Sequence, residues 1–146
     1  MQTCVLCMKT CVWCVKSLSG VIPPEIGNLG NLQFIRLFSN RIRGTIPTSI
    51  SKCTKLIELM LYDNRLSGTV SSEISTLPNL AVLQLQTNRL RGSGVVLRPE
   101  QLMLDTVDIS ENLFSGTLPD SFFAAPNLRR IAGRCLILRF VLECSN

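Results

Sequence analysis

Apolar residues fall into a fixed frame along most of the chain. The set Leu32-x-x-Ile35-x-Leu37-x-x-Asn40-x-Ile42-x-Gly44 returns 24 residues later as Leu56, Leu59, Leu61, Asn64, Leu66 and Gly68. The third copy holds Leu80, Leu83, Leu85, Asn88, Leu90 and Gly92; the fourth holds Leu104, Val107, Ile109, Asn112, Phe114 and Gly116. Chance does not keep so many positions in phase, and a period of about 20–50 residues marks a stacked-repeat architecture. Within each copy the Leu-x-Leu core alternates with period two, which predicts a short strand with one buried face. One strand per copy then lines up with its neighbours as a parallel sheet inside a curve.

The remaining frame positions have physical roles. Each asparagine follows where the chain leaves the sheet, and its amide can both donate and accept. It can therefore satisfy backbone groups that the turn leaves unpaired in a dry core. Asn40, Asn64, Asn88 and Asn112 are expected to stack as a structural ladder, and the glycine after each permits the return bend. Ile46-Pro47, echoed by Ile22-Pro23 and Leu118-Pro119, predicts short extended strands or turns on the outer side. Ile50, Ile74 and Phe122 point inward from that layer.

Phase extends beyond the four copies. Residues Leu18–Leu29 read as the second half of an earlier copy. Its first half carries Met8, Cys11 and Trp13 at leucine positions and Lys16 in place of asparagine. Beyond Asn112, Leu128 and Ile131 keep phase, but Gly133 and Leu136 stand where a leucine and an asparagine belong. The expected organisation is a cysteine-rich degenerate repeat or cap at 1–17, repeats over 18–128, and a degenerate cap or tail at 129–146. Gly94-Val95 and Arg98 break the outer half of the third copy, which predicts an irregular loop over Gly92–Gln101 with Val96 or Leu97 filling the gap.

The stretch Leu32–Pro47, with Ile22–Leu29 and Ser51–Leu56, resembles the plant-specific class of leucine-rich repeats. Its members include the ectodomains of receptor-like kinases and receptor-like proteins, and secreted polygalacturonase inhibitors. The resemblance implies an α/β leucine-rich-repeat solenoid. That is a short right-handed horseshoe segment with one parallel β-strand per 24-residue repeat, an irregular or 3-10 convex side, and Ile-Pro strands outside. It implies recognition of a protein or peptide ligand, with a co-receptor as an open further partner, at the plasma membrane or outside the cell. The kinase signatures of that family are absent from the sequence, so the expectation is a truncated, non-catalytic relative. Two alternatives stay open: a secreted inhibitor of a cell-wall-degrading enzyme, and a gene product with no binding role.

The outward strand positions form the expected contact surface. One column reads Arg36, Met60, Gln84, Asp108 and its neighbour Phe38, Tyr62, Gln86, Ser110. With Phe34 and Glu58 beside them, aromatic and cationic character gathers at one end and acidic character at the other. Exposed aromatics are good contact anchors. The candidate ligand-binding residues are Phe34, Arg36, Phe38, Glu58, Met60, Tyr62, Gln84, Gln86 and Asp108. A shortened sheet that binds nothing is the competing reading.

Composition changes the picture little. The chain has 146 residues, a net charge of +5 and 17% charged residues. Its basic surplus is read as scattered, so a nucleic-acid partner is not expected. Arg41-Ile42-Arg43 looks like an anion clamp, but it flanks the asparagine turn off the sheet, and exposed loop charge is the preferred reading. No apolar stretch reaches the length of a membrane helix. Lys9 interrupts Val5–Met8, so no signal peptide is recognised.

Seven cysteines leave at least one thiol unpaired unless chains link. Cys53 takes a position filled elsewhere by Leu29 and Leu77 and is expected to be buried. Cys135 and Cys144 leave a pairing open. The set Cys4, Cys7, Cys11 and Cys14 suits either four zinc thiolates or an apolar stripe on a capping helix. The second reading is preferred, with no metal or other cofactor expected. No histidine is present, which excludes histidine-based triads. Asp105, Asp108 and Glu111 are neighbours without an implied pocket, so no enzyme is expected.

Overall fold

Each triplet centred on Ile35, Leu59, Leu83 or Val107 forms a strand because its central residue is buried while both flanking residues reach the surface. The computed structural model describes residues 10–12, 17–93, 103–115 and 127–132. Among them, β1 (Thr10–Val12), β3 (Phe34–Arg36), β5 (Glu58–Met60), β7 (Val82–Gln84), β9 (Thr106–Asp108) and β11 (Arg130–Ala132) form a parallel sheet in that order. Register advances by one full repeat per strand: Ile35 pairs with Leu59, Leu59 with Leu83, and Leu83 with Val107. The frame survives at both ends, where Cys11 pairs with Ile35 and Ile131 with Val107. This inner sheet carries the candidate contact surface.

A second parallel sheet was not foreseen. It consists of β2 (Ser19–Val21), β4 (Arg41–Gly44), β6 (Arg65–Thr69), β8 (Arg89–Gly92) and β10 (Leu113–Phe114). Its strands β4, β6 and β8 come from the Asn-x-Leu-x-Gly segments, whose central apolar residue (Ile42, Leu66 or Leu90) is buried between two surface neighbours. The expected Ile-Pro strands are corrected accordingly: Pro23 and Pro47 instead cap the 3-10 helices Pro24–Asn28 and Thr48–Lys52. Proline fixes the extended φ such a cap needs. Ser71 takes the same conformation ahead of the helix Ser72–Thr76, and its hydroxyl accepts from Glu73 N–H at 3.2 Å.

The core is a column of aliphatic side chains enclosed by the two sheets and the 3-10 layer. Leu32, Ile35, Leu37, Ile42, Ile46 and Ile50 fill one coil, and Leu56, Leu59, Leu61, Leu66, Val70 and Ile74 the next. Each fully buried leucine contributes about 1.5–3 kcal/mol relative to exposure. Cys53 is completely buried, donates to the Ile26 carbonyl at 3.4 Å, and burial pushes its thiol pKa up. Consecutive helices approach closely at Gly27, where a Cβ would lie 2.5 Å from the Ser49 carbonyl oxygen.

Two further expectations meet the structure only in part. Cys11 lies in strand β1, so the capping-helix stripe fails at that residue; Cys4, Cys7 and Cys14 lie outside the described residues. The irregular loop is described only at Gly92 and Ser93, and the chain is back in phase at buried Leu104 and Val107. Leu118-Pro119, Phe122, Cys135 and Cys144 also lie outside. No helix among the described residues is long and apolar enough to cross a membrane.

Candidate functional site

An asparagine fixes the turn that follows each of four inner strands. Asn64 Nδ2 donates to the carbonyls of Leu37, Leu61 and Tyr62 at 2.9–3.2 Å, while its Oδ1 accepts from Ile42 N–H at 3.0 Å. Asn88 repeats this with Leu61, Leu85, Gln86 and Leu66. Asn112 does so with Leu85, Ile109, Ser110 and Leu90. Asn40 bonds Leu37 and Phe38 and accepts from Ser17 and Leu18. Each amide thus joins its own coil to the preceding one and the end of an inner strand to the second sheet. The residue before each asparagine, Ser39, Asp63, Thr87 or Glu111, is left-handed with φ of 49–56°. That conformation is uncommon for non-glycine residues, and nothing in the 24-residue frame marked it.

On the solvent side of the inner sheet, all nine candidate contact residues are half-buried. Phe38 and Tyr62, from neighbouring coils, lie parallel with ring centroids 4.7 Å apart and planes inclined by 2°. Arg36 donates to Glu58 Oε2, with Nε at 2.7 Å and a second guanidinium nitrogen at 2.6 Å. Its guanidinium carbon also sits 4.9 Å from the Phe34 ring centre, within cation–π range. Phe34, Arg36 and Glu58 therefore form one interlocked group beside the aromatic pair. Met60 follows Arg36 in register, then Gln84 and Asp108.

The far end is acidic and partly self-satisfied. Asp108 Oδ1 accepts from Ser110 N–H at 3.0 Å and its hydroxyl at 2.7 Å. Asp105 accepts from the Thr106 hydroxyl at 3.0 Å and lies 3.6 Å from Arg129 Nε. Gln86 Oε1 is buried without a hydrogen-bond partner. The columns thus bring Phe38 against Tyr62 and Arg36 against Glu58, whereas Asp108 turns to its own strand end. Ser110 and Arg129 complete the acidic end, and period alone did not reveal their roles. The Arg36–Glu58 separation of 22 residues did carry a signal, since it places the pair diagonally on adjacent strands.

Two hollows lie off this face. One is lined by Pro24, Ile46, Pro47, Ser49 and their neighbours on the 3-10 layer; the other is lined by Ser17, Ser39, Asn40, Arg41 and Asp63. Among the described residues no group of three or more His, Cys, Asp or Glu is placed to hold a metal ion.

Comparison with known proteins follows the geometry. A family model described as Leucine Rich Repeat matches residues 31–53, 55–77 and 103–124. Among solved structures, the chain is similar to the ectodomain of the receptor kinase SOBIR1 from Arabidopsis thaliana. Identity is 32% over 81% of this chain and 65% of that one, with a TM-score of 0.72. Against PEPR1, solved with AtPEP1, identity is 30% and the TM-score 0.82, covering 86% of this chain and 18% of that one. The Arabidopsis receptor kinase HAESA, solved with the peptide hormone IDA and the co-receptor SERK1, gives 27% and 0.78 over 86% of this chain and 22% of that one. The chain therefore spans less than two thirds of each of these structures. No curated protein matches it. The chain belongs to the leucine-rich repeat proteins, and its repeats are of the type that builds plant receptor-kinase ectodomains.

Proposed function

We propose that this chain is a non-catalytic recognition module that takes a peptide or protein segment across the inner sheet, as part of signal perception outside the cell or at the plasma membrane. The observation that carries this reading is the stacked Phe38–Tyr62 plate beside the locked Phe34–Arg36–Glu58 group. Side chains already fixed by one another lose little freedom on binding, which favours affinity. An apolar segment of the ligand lies over the rings, and polar groups follow along Gln84, Gln86 and Asp108. The complexes of PEPR1 with AtPEP1 and of HAESA with the peptide hormone IDA support this reading, and the HAESA complex supports a co-receptor as a second partner.

The test is selection of a displayed random-peptide library on the full chain, followed by calorimetric titration of the enriched peptides. Tyr62→Ala lowers their affinity at least about tenfold, equivalent to about 1.4 kcal/mol, whereas Lys52→Gln on the 3-10 layer leaves it unchanged. Equal affinity for the Tyr62→Ala protein, or no enrichment at all, overturns the reading.

A further inference from the structure

The second sheet holds a feature that the peptide reading does not use. Arg41, Arg43, Arg65, Arg89 and Arg91 are all exposed, and each flanks a buried residue of the same strand: Ile42, Leu66 or Leu90. Alternation therefore sends all five to one solvent face. Arg43 pairs directly with Arg65, while Arg89 pairs with Ser67 and Arg91 with Thr69. The strands β4, β6 and β8 are adjacent, so the Cα positions of the five arginines form a continuous diagonal. Its steps are about 5–8 Å, set by strand spacing and by two-residue rise.

This strip is only partly compensated: continuing the 22-residue register sets Asp63 opposite Arg41 and Glu111 opposite Arg89, with no acidic residue opposite Arg43, Arg65 or Arg91. No strand of the second sheet contains an acidic residue. The two ion pairs among the described residues, Arg36–Glu58 and Arg129–Asp105, use none of the five. Asp63 also lines a hollow with Arg41. Direct opposition of like charges across strands destabilises a sheet, so Arg43 beside Arg65 is a local cost to folding that a bound anion offsets.

We propose that this face binds a linear polycarboxylate, an acidic polysaccharide chain laid diagonally across β4, β6 and β8. Arginine's planar fork matches a carboxylate in two-point fashion. Ser67 and Thr69 stand in register beside Arg89 and Arg91; the Ser67 hydroxyl donates to the Gly44 carbonyl at 3.4 Å, and exposed Thr69 supplies a hydroxyl suited to sugar hydroxyl groups. Val21 and Leu113, which are 62% and 55% exposed and pair with Arg43 and Arg91, offer apolar patches for the C–H faces of sugar rings. Nucleic acid fits less well. The five-strand face has no aromatic between the arginines on which a base could stack, and no protruding helix to enter a groove.

The experiment is titration of the full chain with polygalacturonate at about 50 mM salt, using fully methyl-esterified polygalacturonate and duplex DNA as parallel probes. Polygalacturonate binds, the ester does not, and DNA binds at least about tenfold more weakly. Raising salt to about 200 mM weakens polygalacturonate binding at least about tenfold, as counterion release and screening require. Arg43→Gln with Arg65→Gln weakens it about tenfold or more. Lys52→Gln with Lys55→Gln, which lowers net charge equally away from the strip, changes it less than about twofold. Circular dichroism checks that both double variants are folded. Equal losses in the two double variants, DNA binding at least as tight as polygalacturonate, or no polygalacturonate binding overturns the proposal. Peptide binding through Tyr62 is a separate readout, so either reading can fail alone.

Discussion

The two sheets are built from the same coils and share one core, yet they treat their charges in opposite ways. On the inner sheet, Arg36 is bound by Glu58 and lies over Phe34, and Arg129 faces Asp105. On the second sheet, five arginines stand in solvent with no ion pair among the described residues. Register explains part of the contrast. Inner strands pair residues 24 apart, so equivalent positions form straight columns. Strands of the second sheet pair residues 22 apart, so equivalents slide by two positions at each strand. A repeat unit sets what recurs, but register sets what touches.

The sharpest way to break this comparison is to cut what joins the sheets. Asn88 accepts from Leu66 in β6 and donates to carbonyls at the ends of two inner strands. Asn88→Ala leaves several buried backbone groups unpaired, each costing about 1–3 kcal/mol. The expected loss is about 3–5 kcal/mol by chemical denaturation, with a smaller loss for the less buried Asn40→Ala. A loss below about 1 kcal/mol for Asn88→Ala shows the sheets to be held by the leucine core alone.

A second test probes the second sheet by itself. Gly68 in β6 has φ of +79°, and a Cβ there would meet Thr45 Cγ2 at 2.8 Å. Gly68→Ala costs about 1–3 kcal/mol. Adding Thr45→Ser, which removes that methyl, relieves the clash and leaves the conformational part. No recovery in the double variant means that strain alone sets the cost.

The smallest effects sharpen the electrostatic contrast. Arg36→Gln lowers stability by about 0.5–1 kcal/mol, the upper end for a partly exposed pair. Arg65→Gln leaves stability unchanged or raises it slightly, because it removes a like-charge neighbour. The difference shrinks at about 1 M salt. Equal losses for the two substitutions contradict the contrast.

Much of the fold was legible because burial follows side-chain chemistry directly. Leu59, Leu83 and Val107 are apolar at one phase and meet in register, and Cys53 is buried at its leucine position. The outer layer was misjudged because Ile46-Pro47 suits an extended segment as well as a helix cap; the backbone bonds from Ile50 to Pro47 decide it, and composition does not encode them. Arg41 and Arg43 were placed in a turn because the second sheet shares too short an alternation, Arg41–Gly44, to stand out from loop sequence. On the inner face, the residue types of the candidate site were readable. Which of them would spend their polar groups on each other, as Arg36 does with Glu58, depends on the diagonal between strands.

The 22-residue pairing also bears on how such a chain can grow. Copying one whole coil into the stack adds a rung to every inner column and leaves each column straight. On the other sheet the same copy is displaced by two residues, roughly 6.6 Å along the strand. A track of like side chains there runs obliquely to the strands, as Arg41, Arg65 and Arg89 do at the first position of β4, β6 and β8. Elongation by duplication therefore lengthens a groove square to the strands on one flank and a slanted stripe on the other.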